Sequence, residues 1–261
     1  MSGDAPAVSG TDARGMVGGG LLRLLLDWIV PSTCAGCGAE RMEAGGSGAC
    51  RCCWGSIREL DPAAACPGCA LPAAGGRCRD CGDTPSPISR AAAFGEYDGT
   101  LKKLIGAYKF HGFDLLSAPF AERLARLARS SGLEQGAPAV VGVPSTPSRN
   151  RQRGFDPGVL LARETARRLG LKTLPALRRV RSSPPQSRLS RSERSTNVAG
   201  VFEGIASAAG RPVLLVDDIV TTGATAFAAA RALHRAGASR VHLLVLARTL
   251  APVGPTAPEC A

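Results

Sequence analysis

From residue 91 onward the apolar positions fall into blocks that switch between strand and helix spacing. Ala91–Tyr97 is compact enough for a strand, and Leu101–Tyr108 and Leu115–Arg129 carry apolar residues at helical intervals. Ala139–Val143 is a short apolar run closed by Pro144, and Gly158–Leu169 returns to helical spacing and stops at Gly170. Pro212–Val216 reads as a strand of Val and Leu followed by a polar loop. Thr225–Ala236 then reads as an Ala-rich helix stopped by Gly237, and Val241–Ala247 as another buried strand. Strands separated by helices of this length predict an α/β domain over residues 90–249, a mainly parallel sheet with helices on both faces.

The chain before residue 90 is patterned differently. Residues 1–20 lack periodicity and are expected to be a disordered tail, as are residues 250–261 at the other end. The apolar run Leu21–Val30 is interrupted by Arg23 and Asp27; Leu21–Ile29 predicts a short amphipathic helix within segment 21–33. A bilayer needs about 20 apolar residues, so no membrane span is expected there. Residues 34–85 are short apolar fragments between Gly and Pro, which cannot build a conventional core, and Ser86–Arg90 reads as a linker. Aromatics make up only 4% of the chain, so the core of the α/β part must come mainly from Ala, Val and Leu.

Nine of the ten cysteines lie between Cys34 and Cys81, with Cys260 alone near the end. Eight of them form the pairs Cys34-x-x-Cys37, Cys50-x-x-Cys53, Cys66-x-x-Cys69 and Cys78-x-x-Cys81, and Cys52 is spare. Two thiolates three positions apart on a tight turn can face one ion, and a second pair completes a tetrahedral zinc site. Gly36, Gly38, Gly68 and Gly82 sit inside or just after these pairs, as such turns require. The eight thiolates suffice for about two closed, structural zinc sites. Spacing leaves sequential and interleaved pairing open, with a disulfide or redox-dithiol set as the competing arrangement. No secretory signal precedes the pairs, so reduced, metal-bound cysteines in a cytoplasmic protein are expected.

The second motif is the string Val213-Leu-Leu-Val-Asp-Asp-Ile-Val-Thr-Thr-Gly-Ala-Thr225. A buried strand delivers adjacent carboxylates, Asp217 and Asp218. A loop of Thr221, Thr222, Gly223, Ala224 and Thr225 then opens a helix. Backbone N–H groups at a helix start, with threonine hydroxyls, can surround a phosphate, and carboxylates one step earlier can accept hydrogen bonds from ribose hydroxyls. The string lacks the Gly-Lys-Ser/Thr ending of a Walker loop and the glycine spacing of a dinucleotide loop. Charge points the same way. Between Ser148 and Arg194 there are thirteen Arg and Lys against Asp156, Glu164 and Glu193, so almost the whole net charge of +11 falls in one stretch. Such a field attracts a nucleotide or a nucleic-acid strand, although a solvated arginine-rich face would look the same. Arg149, Arg151 and Arg153 are the candidates for a second anion contact.

The Asp-Asp-x-x-Thr-Thr-Gly-x-Thr string resembles the phosphoribosyl pyrophosphate motif of type I phosphoribosyltransferases, and four CxxC pairs ahead of it resemble the ComF family within that group. The likeness extends to Val141-Gly142-Val143-Pro144, Arg149 with Arg153-Gly154-Phe155, and the scattered Gln186, Leu189, Glu193, Arg194, Asn197 and Phe202. It also takes in Tyr97 and Lys109-Phe110-His111-Gly112. It covers about Pro31 to Arg248. Two positions depart from the family: Gly142 stands for a proline, loosening a turn on the pyrophosphate side, and Asp156 stands for an asparagine, placing a negative charge in a basic loop.

The resemblance implies a type I phosphoribosyltransferase-like sheet preceded by a double zinc ribbon. It implies a site in which Asp217 and Asp218 hold the ribose and Thr221–Thr225 its phosphate, with Val143, Arg149 and Arg153 on the pyrophosphate side. Magnesium would accompany the phosphoribosyl pyrophosphate. Two functions follow and stay open: phosphoribosyl transfer to an unnamed acceptor, or a single-stranded DNA-binding role beside a DNA-uptake machinery in natural transformation, with the nucleotide site regulatory or vestigial. Among single residues, Lys109 reads as a phosphate contact or an ordinary exposed lysine, and His111 as an acid–base group or neither. His234 and His242 read as surface and strand residues, and Trp28 and Trp54 as packing for the ribbon.

Overall fold

The computed structural model describes residues 33–40, 48–74, 76–79, 81–82, 85–110, 114–136, 139–180 and 200–250. The expected tail over 1–20, the helix over Leu21–Ile29, Trp28, His111, the Gln186–Asn197 string and the final tail from residue 251 lie outside the described residues.

Five strands form one sheet in the order β1-β7-β6-β2-β3, every neighbouring pair parallel. They are β1 (Arg90–Glu96), β2 (Ala139–Gly142), β3 (Lys172–Thr173), β6 (Pro212–Val220) and β7 (Arg240–Arg248). A separate antiparallel pair joins β4 (Leu177–Arg179) to β5 (Phe202–Gly204). Side chains alternate across the sheet and split the core in two. Ala92, Phe94, Val140, Leu214, Val216, Leu244 and Leu246 face one side, packed under α2 (Gly99–Phe110), α3 (Ser117–Ser130) and α5 (Pro157–Leu169). Ala91, Ala93, Val141, Val213, Leu215, Leu243 and Val245 face the other, under α6 (Ala224–Arg235) and the β4–β5 pair. Central strands buried on both faces are nearly continuous apolar runs, which is why Val213–Val216 and Leu243–Ala247 read as solid runs, with the buried His242 as the exception in the second strand.

The cysteine-rich segment wraps the β1 edge of this sheet. Cys34, Ala49, Cys53 and Ile57 belong to the first core side, where Trp54 of the one-turn helix α1 (Arg51–Gly55) packs edge-on against Phe120 at 5.6 Å between centroids. The chain then runs antiparallel along β1: Leu60 N–H donates to the Phe94 carbonyl at 3.0 Å and Glu96 N–H donates to the Arg58 carbonyl at 3.0 Å. An edge strand with unpaired amides is thereby covered. Beyond it, Ala70 and Ile88 join the second core side, and Cys66, Cys69 and Cys78 pack with Phe227 of α6. The two cysteine groups therefore flank the sheet, one against each face.

Gly142 is not a loosened turn. It lies in β2, in register with Val216, and a Cβ there would sit 2.6 Å from the Gly158 carbonyl oxygen and 2.8 Å from Val159 Cα. The first turn of α5 rests directly on the end of β2, so glycine is needed for close approach. Asp156 likewise has a structural task. Its Oδ1 accepts from the amides of Gly158 (3.1 Å) and Val159 (3.3 Å), capping α5, and its Oδ2 accepts from Ser145 N–H (2.9 Å) and Asn150 Nδ2 (2.7 Å). An asparagine could not accept on both sides, so the acid is matched to this junction. The signal was present in sequence as Asp-Pro ahead of a helix, an N-cap followed by proline at N1.

Candidate functional site

Two groups of four thiols are assembled, Cys34, Cys37, Cys50 and Cys53 in one and Cys66, Cys69, Cys78 and Cys81 in the other, with the sulfurs of each group within 4.8 Å of one another. The pairing left open by spacing is therefore sequential, and none of the eight is in a disulfide. A tetrahedral site with Zn–S bonds of about 2.3 Å has sulfurs about 3.8 Å apart. Cys37 and Cys50 sulfurs are 3.9 Å apart and those of Cys69 and Cys78 are 3.5 Å apart. Backbone amides of Gly36 (3.4 Å) and Cys50 (3.2 Å) donate to Cys34 Sγ, and Cys53 N–H donates to Cys50 Sγ at 3.4 Å. Burial opposes ionisation of Cys34, yet the backbone amides of Cys37, Cys50 and Gly36 draw its thiol down to about 6, whereas burial and thiol neighbours push Cys53 and Cys81 up. Four such groups cannot all be thiolates without a cation, and each set fits one structural zinc ion.

The second assembly lies at the carboxyl edge of the parallel strands, where β2 ends and β6 loses that neighbour. Parallel sheets bind ligands in such crevices. β6 runs past the predicted end at Val216 to Val220, because its pairing with β7 continues to Val220↔Arg248. Asp217 and Asp218 therefore ride on strand rather than loop, pointing to alternate sides. Asp217 is 8% exposed and accepts from Asp218 N–H at 2.9 Å; burial, then the Asp218 charge, push its carboxyl well above the usual range, against the pull of Lys109 and Arg179. Asp218 meets Lys109 Nζ at 2.8 Å, a pair joining β6 to the last turn of α2. Lys109 is thus not an ordinary exposed lysine: its charge is met by a carboxylate.

A cleft of about 340 Å³ opens over this pair, lined among others by Tyr97, Lys109, Val143, Arg149, Arg153 and Arg179. Arg149 and Arg153 come from α4 (Pro147–Arg153), one turn apart and so on one face. Arg151, grouped with them in the sequence, is exposed and does not line the cleft. Arg179 of β4 was not singled out by sequence; its short strand carries no signal beyond the general basic run. Burial, then the neighbouring Arg149, push both Arg153 and Arg179 below the ordinary arginine value, against the pull of Asp218 and Asp156 on Arg153 and of Asp217 and Asp156 on Arg179. At the other end, residues Ile219–Ala226 form a small polar cup of about 20 Å³ that takes in Thr221, Thr222, Gly223, Ala224 and Thr225. Gly223 caps α6 with φ of +83°, a conformation that favours glycine. Thr225 borders both cup and cleft.

An acidic pair, a helix-start polar cup and an arginine wall at one crevice, on a chain with two four-cysteine groups, define a phosphoribosyltransferase-type protein carrying a double zinc ribbon. Sequence comparison agrees: the family described as phosphoribosyl transferase domain matches residues 156–256, and the double zinc ribbon domain matches residues 25–84. The DNA utilization protein YhgH of Salmonella typhimurium (strain LT2) is 33% identical over 210 residues, 78% of this chain and 91% of the relative. Competence protein ComFC of Streptococcus pneumoniae is 31% identical over 186 residues, 70% of this chain and 80% of the relative. Among solved structures, adenine phosphoribosyltransferase from Rhodothermus marinus overlaps at a TM-score of 0.35 and 26% identity, over 53% of this chain and 70% of that one. The chain belongs to the ComF family.

No helix among the described residues is long and apolar enough to cross a membrane.

Proposed function

We propose that this chain binds phosphoribosyl pyrophosphate in the cleft at the carboxyl edge of the sheet, as a cytoplasmic, transferase-like protein. The observation that carries the reading is the meeting of three kinds of group at one crevice: the Thr221–Thr225 cup adjoins, at Thr225, the cleft lined by Asp217, Asp218, Arg149, Arg153 and Arg179. That set suits a phosphate, a ribose diol and a diphosphate. Helix-start amides and hydroxyls at Thr221, Thr222, Gly223, Ala224 and Thr225 suit the 5-phosphate. The carboxylates of Asp217 and Asp218 suit the ribose hydroxyls, and Lys109 would neutralise Asp218 until the sugar arrives. Val143 and the arginines of α4 border the diphosphate end. The acidic pair and the ligand's own oxygens are hard donors of the kind magnesium prefers, and the ion would supply charge neutralisation of the leaving diphosphate. Positioning and electrostatic stabilisation are then what the protein contributes if an acceptor is transferred to.

The two ends can be tested separately. Arg149→Gln with Arg153→Gln is expected to weaken inorganic pyrophosphate binding about tenfold or more while leaving ribose 5-phosphate within about threefold, each measured by calorimetry. Equal loss of both ligands, or of neither, counts against this assignment of ends.

A second reading rests on the mouth of the cleft. Phe110 is 68% exposed with the Arg153 guanidinium 4.5 Å above its ring, and Arg151 is exposed on the same short helix as Arg153. An exposed aromatic beside arginines suits a single-stranded nucleic acid. If that partner binds here, affinity for an oligodeoxythymidine falls steeply with salt, and Arg151→Glu lowers it without touching pyrophosphate binding; a salt-independent or unchanged affinity rejects it.

A further inference from the structure

Arg248, the last residue of β7, is 1% exposed. Its Nε donates to the Cys69 carbonyl at 3.0 Å, and its Nη1 donates to the carbonyls of Val220 at 3.0 Å and of Thr221. One guanidinium thus grips the second cysteine knuckle with one edge and the start of the phosphate loop with another. Among the described residues it makes no ion pair with a carboxylate. A buried cation with only neutral acceptors is costly, and a nearby anion must balance it. Four thiolates around one zinc ion carry a net charge of −2, and Cys69 is one of them.

A second contact runs in parallel. Phe227, in the first turn of α6, packs on Cys66, Cys69 and Cys78, and its ring edge lies where a Cβ on Gly223 would meet it at 3.3 Å. The loop is therefore backed at Val220–Thr221 by Arg248 and at Gly223 by Phe227, and both supports stand on the same four-cysteine group. The peptides are trans, so a carbonyl held by Arg248 turns the amide of the next residue the opposite way. Those amides belong to Thr221 and Thr222, members of the cup.

We infer that Arg248 is a positioning residue for the phosphate loop, and that the second zinc cluster, through Arg248 and Phe227, is a working part of the sugar-phosphate end of the site. The zinc-bound thiolates supply the counter-charge that lets Arg248 stay buried, and Arg248 sets the direction of the amides that meet the phosphate. Loss of metal from Cys66, Cys69, Cys78 and Cys81 then loosens the loop selectively, so ligand affinity follows the state of this cluster. The inference rests on the reading of Thr221–Thr225 as a phosphate cup.

The test uses the full, zinc-replete chain, with Arg248→Lys and separately with Cys66→Ser. Lysine keeps the charge but cannot reach three carbonyls at once. Three quantities are read: zinc per chain, amide hydrogen exchange over residues 220–226, and calorimetric affinity for ribose 5-phosphate and for inorganic pyrophosphate. The expected result for Arg248→Lys is an unchanged zinc content, faster exchange over 220–226, and a loss of about 10- to 100-fold for ribose 5-phosphate, with pyrophosphate within about threefold. Cys66→Ser is expected to lose one zinc and show the same selective pattern. Parent-like exchange and affinity in Arg248→Lys overturn the inference, as does an equal loss of both ligands, which would report general unfolding. If the parent itself fails to bind ribose 5-phosphate, the ligand reading fails instead, and the exchange over 220–226 alone decides whether Arg248 holds the loop.

Discussion

Purified under reducing conditions, the chain is expected to carry about two zinc ions, and stripping them is expected to lower its melting midpoint by about 10 °C or more. The reason lies in where the thiols sit. Cys34 and Cys53 are part of the same buried core as Phe94, Leu101 and Phe120, so the first knuckle is packing as well as a metal site. Without a cation, four close sulfurs must stay largely protonated, and the amides aimed at Cys34 and Cys50 lose their charged acceptors. Structural zinc contributes about 10–16 kcal/mol of apparent binding free energy per site in small peptides, against about 5–15 kcal/mol for the whole stability of a domain. Losing about 4 kcal/mol of that would already produce the shift named. Metal analysis and thermal denaturation with and without chelator check both parts; a folded, zinc-free chain of unchanged midpoint would contradict them.

Restoring the family proline at position 142 is expected to damage the protein. A Cβ at Gly142 lands 2.6 Å from the Gly158 carbonyl oxygen, and a Cβ at Gly158 lands 2.3 Å from the Val143 carbonyl oxygen. Both obstacles are backbone, which has no rotamer to yield. Helix α5 must then move off β2, and with it go the Asp156 cap and its hold on Ser145 and Asn150 beside the arginine wall. Gly142→Ala is expected to cost about 2–3 kcal/mol, and Gly142→Pro at least as much, by denaturant titration. Pyrophosphate affinity should fall with them. Parent-like stability in Gly142→Ala would mean that the helix rests on β2 more loosely than the distances state.

Much of this was legible in the chain because its strongest signals are local. A CxxC pair is a turn and its two ligands together, and the Asp-Asp-x-x-Thr-Thr-Gly-x-Thr string is a strand end, loop and helix start in consecutive residues. The helices over Leu101–Tyr108 and Gly158–Leu169 followed from spacing alone, with ends within two residues of Gly99–Phe110 and Pro157–Leu169. What stayed hidden depends on partners distant in sequence. β3, with two residues, exists because β2 offers it an edge. The reach of β6 to Val220 is set by β7, the choice of glycine at 142 by a helix sixteen residues on, and the pairing of Lys109 with Asp218 by a fold across more than a hundred residues. Arg248 looks like an ordinary strand-ending arginine until Cys69 and Val220 are placed around it. Arg151 lies off the cleft for a simpler reason: three arginines at alternate positions cannot share one face of a helix.

The most direct test of the central claim is calorimetric titration of phosphoribosyl pyrophosphate with magnesium into zinc-replete protein, beside the Asp217→Asn, Asp218→Asn double variant. The expected result is saturable binding by the parent and a loss of about 100-fold or more in the variant, with its melting transition retained. No binding by well-folded parent protein, or equal binding by the double variant, would contradict the assignment of this cleft to a phosphoribosyl ligand.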